Sequence, residues 1–496
     1  MKVSIIISTI FILALTSCNS WLDVTPQDTV DEDVLFSTGD GYRNVLNGVY
    51  KQMATPSMYG KELSWGMLDV MGQLYHQRAF SSGVEYRAVA SYKYTDESVK
   101  PLIQDIWSLA YNSIANCNSI LAKIDGTDST LFRSGNNEKM LIKGEALALR
   151  AFLHFDMLRL FAPAPDLQDQ KTYIPYFKTY PSTFEPDRSI KEVLEFVVND
   201  LEAARSLVAP HDTTAWRIML RNDYRINYEE TNPSLNQDLF FKSRGYRMNY
   251  LAVCALLARV YNYMGDFNDN YYQKAYDMCD HLINFVIDPK GYSDLKKLAF
   301  TPYYNAEENR KLYDEVIFCL SNQKLIEDYA TITSDGNYYF YLQPANTMFD
   351  DNADIRQTEL TRAKGSYQVC TKNIPPDGQS TLYSSCKDML PMIRLSELYY
   401  IQAEHLCRKG DISGAINKID IVRDARNCQT GSSGQMYQKI KDLVSFKTEM
   451  VKEAARDFMQ EGQVFFYYKH LKLLFPKSDM TASDMVLPKP DNELIH

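Results

Sequence analysis

The chain has 496 residues, of which 45% are hydrophobic, and its 53 basic and 63 acidic residues give a net charge of −10 at pH 7. This length allows a large core, whereas the acidic balance argues against nucleic acid as a partner, because phosphate binding needs clustered Lys and Arg. Beyond the amino terminus, no stretch approaches the 18 consecutive apolar residues that predict a membrane-spanning helix.

The amino terminus predicts a lipid anchor. A short apolar block, residues 3–15, follows Lys2 and is too short to span a bilayer. It ends in the letters LTSC (15–18), which have the form of a bacterial lipobox and not of an A-x-A cleavage site. Residues 1–17 are therefore predicted to be a signal peptide, and Cys18 to carry acyl chains such as palmitate. The alternative is a plain secreted protein in which Cys18 is incidental.

Three stretches have the hydrophobic period of amphipathic helices. Residues 106–124 and 140–161 form two of them, and the second is expected to stop before Pro163. In the third, Ser189 and Glu192 have the spacing of a capping box. The apolar face that follows it consists of Ile190, Val193, Leu194, Val197, Leu201 and Ala204.

Two segments, 256–280 and 400–420, share two spacings, although the distance between their halves differs by five residues. In each, an Ala lies seven residues before a Gly-Asp pair, at 265–266 and 410–411, and a later Ala precedes an Asp by five residues. We expect helix pairs in which Gly adopts the left-handed conformation that ends the first helix, with the Asp near the start of the second. Such pairs resemble tetratricopeptide (TPR) units, which must stack to bury their faces.

Tyr-, Asn- and Asp-rich segments interrupt the helical patterns at about 56–104, 210–245, 288–390 and 428–445. They exceed ordinary loop lengths and are therefore candidates for function. Alternating residues in 314–323 predict a short strand. The predicted fold is therefore mostly α, a TPR-like helix-pair scaffold with irregular, loop-rich insertions and a few short strands.

Eight Cys remain besides Cys18. Four lie in helical patterns, where a free Cys behaves as a small apolar side chain, and mostly reduced, buried thiols are expected. Cys370 and Cys386, in loop-like surroundings, are the one plausible disulfide. The sequence has no CxxC motif, so a Cys-based zinc site is not expected.

Six blocks of sequence, in order along the chain, carry a family pattern. They are CNSWLDVTPQDTVDEDVLFSTGDGYRNVLNGVY (18–50), IWSLAYNSIANCNSIL (106–121), KGEALALRAFLHFDMLRLFAPAP (143–165), IRLSELYYIQAEHLCRKGDISGAINKIDIVRDAR (393–426), EAARDFMQEG (453–462) and VLPKPDNEL (486–494). Together they resemble the SusD/RagB proteins, outer-membrane lipoproteins of Bacteroidetes. Ala454 stands where the family usually has Arg, and the letters QVFFYYKHL after Gly462 also depart from the pattern, so a divergent branch is indicated.

The resemblance implies one SusD-like domain over 18–496, in which a TPR-like scaffold is interleaved with irregular ligand-binding segments at about 56–104, 210–245 and 288–390. It implies a cell-surface lipoprotein of the outer membrane that captures an oligosaccharide and delivers it to a SusC-like TonB-dependent barrel. The lipid anchor would be the only membrane contact. The alternatives are the same role with a peptide ligand, or a TPR-like surface scaffold that binds no nutrient. The residues implied to be structural are Trp107, Arg150, Glu397 and Glu404.

Catalytic signatures such as HExxH, GxSxG and the P-loop are absent from the sequence, so neither an enzyme nor a cofactor is expected. Asp350, Asn352 and Asp354 imitate the start of an EF-hand loop, but Ile355 occupies the position that needs Gly. No metal is therefore expected, and Asp354 with Arg356 is interpreted as a structural turn.

Several other ionisable residues are given structural interpretations. His154 and His281 lie in helical patterns and are expected to be packing or surface residues. Glu453, Asp457 and Glu461 follow one another at four-residue steps, which indicates a solvated or capped helix face more than an acid/base pair.

A carbohydrate site needs exposed aromatic rings beside planar polar groups, because sugars present flat C–H faces and hydroxyls. The 35 Tyr residues of the chain suit such a surface, and two irregular stretches, 64–80 and 337–346, have this composition. The candidate ligand-binding residues are Trp65, Asp69, Gln73, Tyr75, His76, Arg78, Tyr338, Tyr339 and Tyr341. The alternative is that these aromatic rings face the core or line the contact with the barrel.

Overall fold

Helices dominate the protein, whose computed structural model describes residues 32–76, 83–182, 184–214, 216–226, 238–290, 296–334, 340–378, 380–476 and 480–494. The helices are α1 (Glu32–Leu35), α2 (Gly39–Met53), α3 (Met67–Met71), α4 (Val84–Ala90), α5 (Lys100–Ile124), α6 (Gly135–Phe161), α7 (Ile190–Asp212), α8 (Asn222–Arg225), α9 (Tyr250–Met264), α10 (Asp269–Asn284), α11 (Leu325–Ser334), α12 (Ala345–Met348), α13 (Ile355–Thr358), α14 (Thr381–Cys386), α15 (Leu395–Arg408), α16 (Ile412–Ala425), α17 (Gln435–Lys439), α18 (Leu443–Asp457) and α19 (Val464–His470). The strands are β1 (Thr172–Pro175), β2 (Asp187–Ser189), β3 (Val316–Ser321), β4 (Thr361–Lys364), β5 (Tyr367–Cys370) and β6 (Met389–Arg394). The predicted fold class is confirmed.

Helix α6 lies at the centre of the helical half, between α5 and α7. Every residue of α6 from Gly144 to Phe161 is buried, as expected for a helix that is covered on all sides. It ends at Phe161, ahead of Pro163, as predicted. The predicted capping box is also confirmed: the side chain of Ser189 accepts a hydrogen bond from the Glu192 backbone and starts α7.

The two repeats form the predicted helix pairs α9–α10 and α15–α16, and α10 packs against α15. In the second pair, Gly410 has a φ of +85°, and the Asp411 side chain caps α16 by accepting from the N–H of Gly414. Both predictions are confirmed there.

In the first pair the turn chemistry differs from the prediction. Gly265 has a helical φ of −56°, so the predicted left-handed conformation is wrong at this position. A Cβ atom there would lie 2.3 Å from the ring of Tyr272, so close packing is what requires glycine. Asn268 caps α10, while Asp266 forms an ion pair with Lys472.

The strands form three separate antiparallel pairs, β1–β2, β3–β6 and β4–β5. The strand predicted within 314–323 is confirmed as β3, whose residues Val316–Leu320 are buried. One hydrophobic cluster contains both α6 and residues of the irregular segments, such as Trp65 and Phe340. The irregular segments are therefore packed on the helical scaffold through a shared core.

The residues implied to be structural are all buried. Trp107 packs edge-on against Phe161, and Arg150 donates two hydrogen bonds of 2.7 Å to Asp200. Glu397 accepts from Arg259 in the same way, at 2.5 and 2.7 Å. The remaining member, Glu404, accepts from Asn262 at 3.0 Å and from Arg408 at 2.9 Å.

Buried histidine and cysteine residues complete the core. His154 stacks on Tyr176 at 3.8 Å between ring centroids, and burial lowers its pKa to about 3, so it is a neutral packing residue. The eight Cys of the described residues are buried and free. The predicted bridge between Cys370 and Cys386 is therefore wrong, and the two side chains belong to different hydrophobic clusters.

The carboxylates of α18 and of the turn after it are not solvated. The prediction of a solvated or capped helix face is therefore wrong. Glu453 accepts hydrogen bonds from Arg356, Arg423 and Arg456 at 2.6, 2.9 and 2.7 Å. Asp457 pairs with Arg426 at 2.8 Å. Because these side chains come from several segments, α18 joins the TPR-like pair α15–α16 to the irregular half through buried charge pairs.

The turn formed by Asp354 and Arg356 is confirmed as structural. The Asp354 side chain caps α13 by accepting from the N–H of Arg356, and the two side chains also form an ion pair at 2.7 Å. Within the described ranges, no helix is long and apolar enough to cross a membrane.

Candidate functional site

Two of the predicted site aromatics belong to the core. Trp65 is fully buried, its Nε1 donates to the carbonyl of Gly60 at 2.9 Å, and its ring packs edge-on against Tyr329 and Phe340. Tyr75 is 2% exposed, and its hydroxyl donates to the carbonyl of Trp65 at 2.7 Å. The expectation that these rings are exposed to a ligand is wrong, because no ring face remains uncovered.

Asp69 is also buried, directly behind this region. Its Oδ1 accepts from the N–H of Gly462 at 3.2 Å, while its Oδ2 has no hydrogen-bond partner in the described residues. Burial, and then the charge of Glu461, raises the pKa of Asp69 well above its usual value. Asp69 therefore fastens α3 to the turn after α18 and is not open to a ligand. Arg78, Tyr338 and Tyr339 lie outside the described residues.

The two predicted stretches meet in space. The N–H of His76 donates to the carbonyl of Tyr341 at 2.7 Å, and the N–H of Gln343 donates to the carbonyl of Leu74 at 3.2 Å. The segment 341–343 is bonded in turn to β5, through the N–H of Leu342 and the carbonyl of Gln368 at 2.9 Å. Two stretches more than 250 residues apart thus form a three-segment ladder with β5.

This ladder brings three partly exposed rings together, which we call the ring cluster: His76, Tyr341 and Tyr367. Tyr341 stacks on Tyr367 with 4.6 Å between centroids and 27° between planes, and the His76 ring lies 5.4 Å from that of Tyr367. Sequence reasoning missed Tyr367. The signal that could have found it is the glycine turn at Gly365, φ +61°, which places Tyr367 at the start of a hairpin strand.

A cleft of about 490 Å³ adjoins the ring cluster at His76. Its volume falls in the range of about 300–1,000 Å³ that small-molecule sites occupy. Three parts of the chain line it: the loop 72–76, the segment 343–348 and the helices α18 and α19 with residues 475–476. The polar side chains in its lining are Gln73, His76, Gln343, Thr347, Lys452 and Tyr468.

The amide side chains of the cleft are held in place by backbone carbonyls. Gln343 donates through Nε2 to the carbonyls of Gln73 and Tyr75, at 3.3 and 2.9 Å, which leaves its Oε1 as an acceptor. Gln73, in the left-handed region with a φ of +52°, donates through Nε2 to the carbonyl of Ala90 at 3.1 Å. Fixed amide acceptors of this kind suit the recognition of hydroxyl groups, because they lose little freedom on binding.

The apolar part of the cleft is equally fixed. Tyr468 stacks on Phe475 with 3.8 Å between centroids, and the lining also includes the largely buried side chains of Leu74, Met348 and Val464. Of the nine predicted ligand residues, the structure thus brings Gln73, His76 and Tyr341 to one partly exposed place. In the part of the chain that the structure describes, no group of three or more His, Cys, Asp or Glu side chains could hold a metal ion.

Solved structures share this fold. A SusD superfamily protein from Bacteroides thetaiotaomicron superposes with a TM-score of 0.65 at 21% identity, covering 92% of this chain and 97% of that one. A putative sugar binding protein from Bacteroides vulgatus gives 0.65 at 21% identity and 91% coverage of both chains. Surface glycan-binding protein A from Bacteroides thetaiotaomicron gives 0.64 at 15% identity, covering 93% and 97%. The helical scaffold with its irregular half is therefore that of a SusD-type protein.

Family models identify the chain further. Residues 20–218 match the SusD-like model described as "Starch-binding associating with outer membrane", and residues 258–469 match that of the SusD family. The chain belongs to the SusD/RagB family, as the sequence blocks predicted. Curated relatives include the SusD-like proteins P2 and P25 of Formosa agariphila, at 22% and 24% identity over 47% and 41% of this chain. The matches span 46% and 38% of those relatives, so less than half of their length.

Proposed function

We propose that this protein is a surface nutrient-binding protein that captures an oligosaccharide at the ring cluster and the adjoining cleft. The observation that carries the proposal is the arrangement of three partly exposed rings beside a cleft with fixed amide groups. Aromatic faces pack against the C–H faces of sugar rings, and amides bond their hydroxyls. Of the residues predicted from sequence, Gln73, His76 and Tyr341 serve this site, and Tyr367 joins them.

The comparisons support a saccharide as the ligand. The family model for residues 20–218 is described as starch-binding, and two proteins of the same fold are called sugar binding or glycan-binding. These descriptions apply to those proteins and do not identify the ligand of this chain. A peptide ligand, or a scaffold without a ligand, would be the outcome if saccharides fail to bind.

The test is binding of the mature chain to a glycan array, followed by titration of a retained oligosaccharide. Tyr341→Ala and Tyr367→Ala should each weaken binding about fivefold, because each removes a stacking face worth on the order of 1 kcal/mol. Tyr304→Ala is the matched control, since Tyr304 is 75% exposed and does not line the cleft. Equal binding by all three variants would remove the ring cluster as the site.

The anchor and the transporter form the second part of the proposal. Cys18, which lies outside the described residues, would carry the lipid that holds the protein at the outer membrane, and a SusC-like TonB-dependent barrel would receive the ligand. Mass spectrometry of the native amino terminus should find acylated Cys18, and mild detergent extraction should co-purify a large barrel. An unmodified terminus, or isolation without a barrel, would contradict this part alone.

A further inference from the structure

We propose that the cleft selects acidic saccharides, those that carry carboxylate or sulfate groups, and that Lys452 supplies the cation that binds them. This inference rests on the proposed function and adds the charge class of the ligand. It is carried by the distribution of charge around the cleft, which differs from that of the whole chain.

The described lining of the cleft contains Lys452 and His76 but no Asp or Glu. The chain as a whole carries ten more acidic than basic residues. The lining of this cleft therefore does not share the acidic excess of the chain. Because a concave site lined by one sign of charge concentrates ligands of the opposite sign, the cleft favours anions.

Lys452 is placed to reach a ligand. It lies on α18, its side chain is 43% exposed, and its Nζ is 2.7 Å from the Oε1 of Glu449. Glu449 also faces Lys439 at 3.7 Å, so this carboxylate stands between two ammonium groups. The Lys452 ammonium has three N–H donors and is partly exposed, so it can bind an anionic ligand while it keeps its bond to the buried Glu449.

The ring cluster and Lys452 would act on different parts of one ligand. His76 belongs to both the ring cluster and the lining of the cleft, so the two sites are continuous. If one sugar ring stacks on Tyr367, the next sugar unit of the chain would lie in the cleft. There its hydroxyl can donate a hydrogen bond to the Oε1 of Gln343. The ammonium of Lys is a point charge without the planar geometry of Arg, so it can donate to either a carboxylate or a sulfate.

The test uses matched saccharides that differ only in charge. The mature chain is titrated with an oligogalacturonate and its methyl ester, and with a sulfated galactan oligosaccharide and its desulfated form. We expect the acidic member of at least one pair to bind about tenfold more tightly in dilute buffer, with the advantage shrinking at high salt, since ions screen exposed charges. The pair that shows the preference identifies the anion.

Lys452→Gln should remove most of that advantage, so that the acidic and neutral members of a pair bind with similar affinity. Lys441→Gln is the control, because it removes the same charge just before α18, where Lys441 bonds the carbonyl of Tyr437 outside the cleft. If the neutral members bind as tightly as the acidic ones, or if Lys452→Gln keeps the preference, the inference is overturned while the proposed function stands. If saccharides of neither kind bind, both fall.

Discussion

At the residue scale, Gly462 is a position where both the backbone conformation and the close packing require glycine. It has a φ of +68°, and a Cβ atom there would lie 2.3 Å from the carbonyl oxygen of Leu63. Its N–H donates to the buried Asp69. The turn between α18 and α19 is therefore seated against the loop before α3, directly behind the cleft.

We expect Gly462→Ala to destabilise the protein more than Gly410→Ala. Gly410 has a φ of +85° with nothing within 4 Å of a Cβ, so alanine there costs only the left-handed backbone, about 1–2 kcal/mol. Gly462→Ala adds a clash with backbone that cannot move freely. Denaturant unfolding of both variants measures the difference in unfolding free energy, and equal losses would show that the turn relaxes.

At the element scale, helix α18 contributes both to the cleft and to the buried charge pairs. Lys452 and Ala455 line the cleft, while Glu453, one residue away, is fully buried among three guanidinium groups. Burial opposes ionisation of Glu453, but Arg356, Arg423 and Arg456 outweigh it and hold its pKa well below the usual value. The buried charge pairs on the face opposite to the cleft therefore hold the helix in its orientation.

We expect Glu453→Gln to lower the free energy of unfolding by about 3–5 kcal/mol, the usual cost of breaking a buried ion pair from one side. The three arginines would keep their charge and lose the one carboxylate that all of them share, which leaves them with Asp354 and Asp350 as anionic partners. Glu97→Gln provides a control, because its pair with Lys100 is exposed and its removal should leave stability essentially unchanged. Denaturant titration at pH 7 measures both, and a loss below 1 kcal/mol for Glu453→Gln would contradict this account.

At the scale of the whole molecule, buried carboxylates make the fold sensitive to acid. Burial opposes ionisation of Asp457 and Asp212, but Arg426 and Arg244 outweigh it and lower both pKa values to about 2, from 3.8. Each carboxyl thus binds its proton less readily when folded than when unfolded. Their stabilisation is present above about pH 4 and is lost as the pH falls towards 2.

We expect the unfolding free energy to fall steeply between about pH 4.5 and 2, by on the order of 2 kcal/mol for each such aspartate. Glu453→Gln should make the fall less steep, because it removes one carboxyl that must be protonated. Asp69→Asn should make the fall steeper, because it removes a contribution that grows as the pH falls through the unfolded pKa of Asp. The pKa of Asp69 is raised, so its contribution is present at low pH and declines as the pH rises. Denaturant unfolding across this range measures the slopes, and a flat profile would refute the assignment.

Much of the fold could be predicted from sequence, because it depends on local patterns. The capping box at Ser189, the end of α6 before Pro163 and the left-handed Gly410 each follow from the chemistry of a few neighbouring residues. The family was also predicted from sequence, since its blocks occur in order along the chain. The charges of Glu453 and Asp457 were visible too, but their partners come from distant segments and could not be read from spacing.

The site depended on what only the tertiary structure decides. Composition gave Trp65, Tyr75, His76 and Tyr341 the same predicted role, because it does not distinguish an aromatic residue of the core from one of a binding site. Folding buried the first two under Phe340 and left the others partly exposed beside Tyr367. The sequence by itself determined the main helices and several of their caps, because those depend on near neighbours, and the order of its blocks determined the family. Exposure depends on which distant segments pack together, and for this protein the ladder between 74–76, 341–343 and β5 decided it.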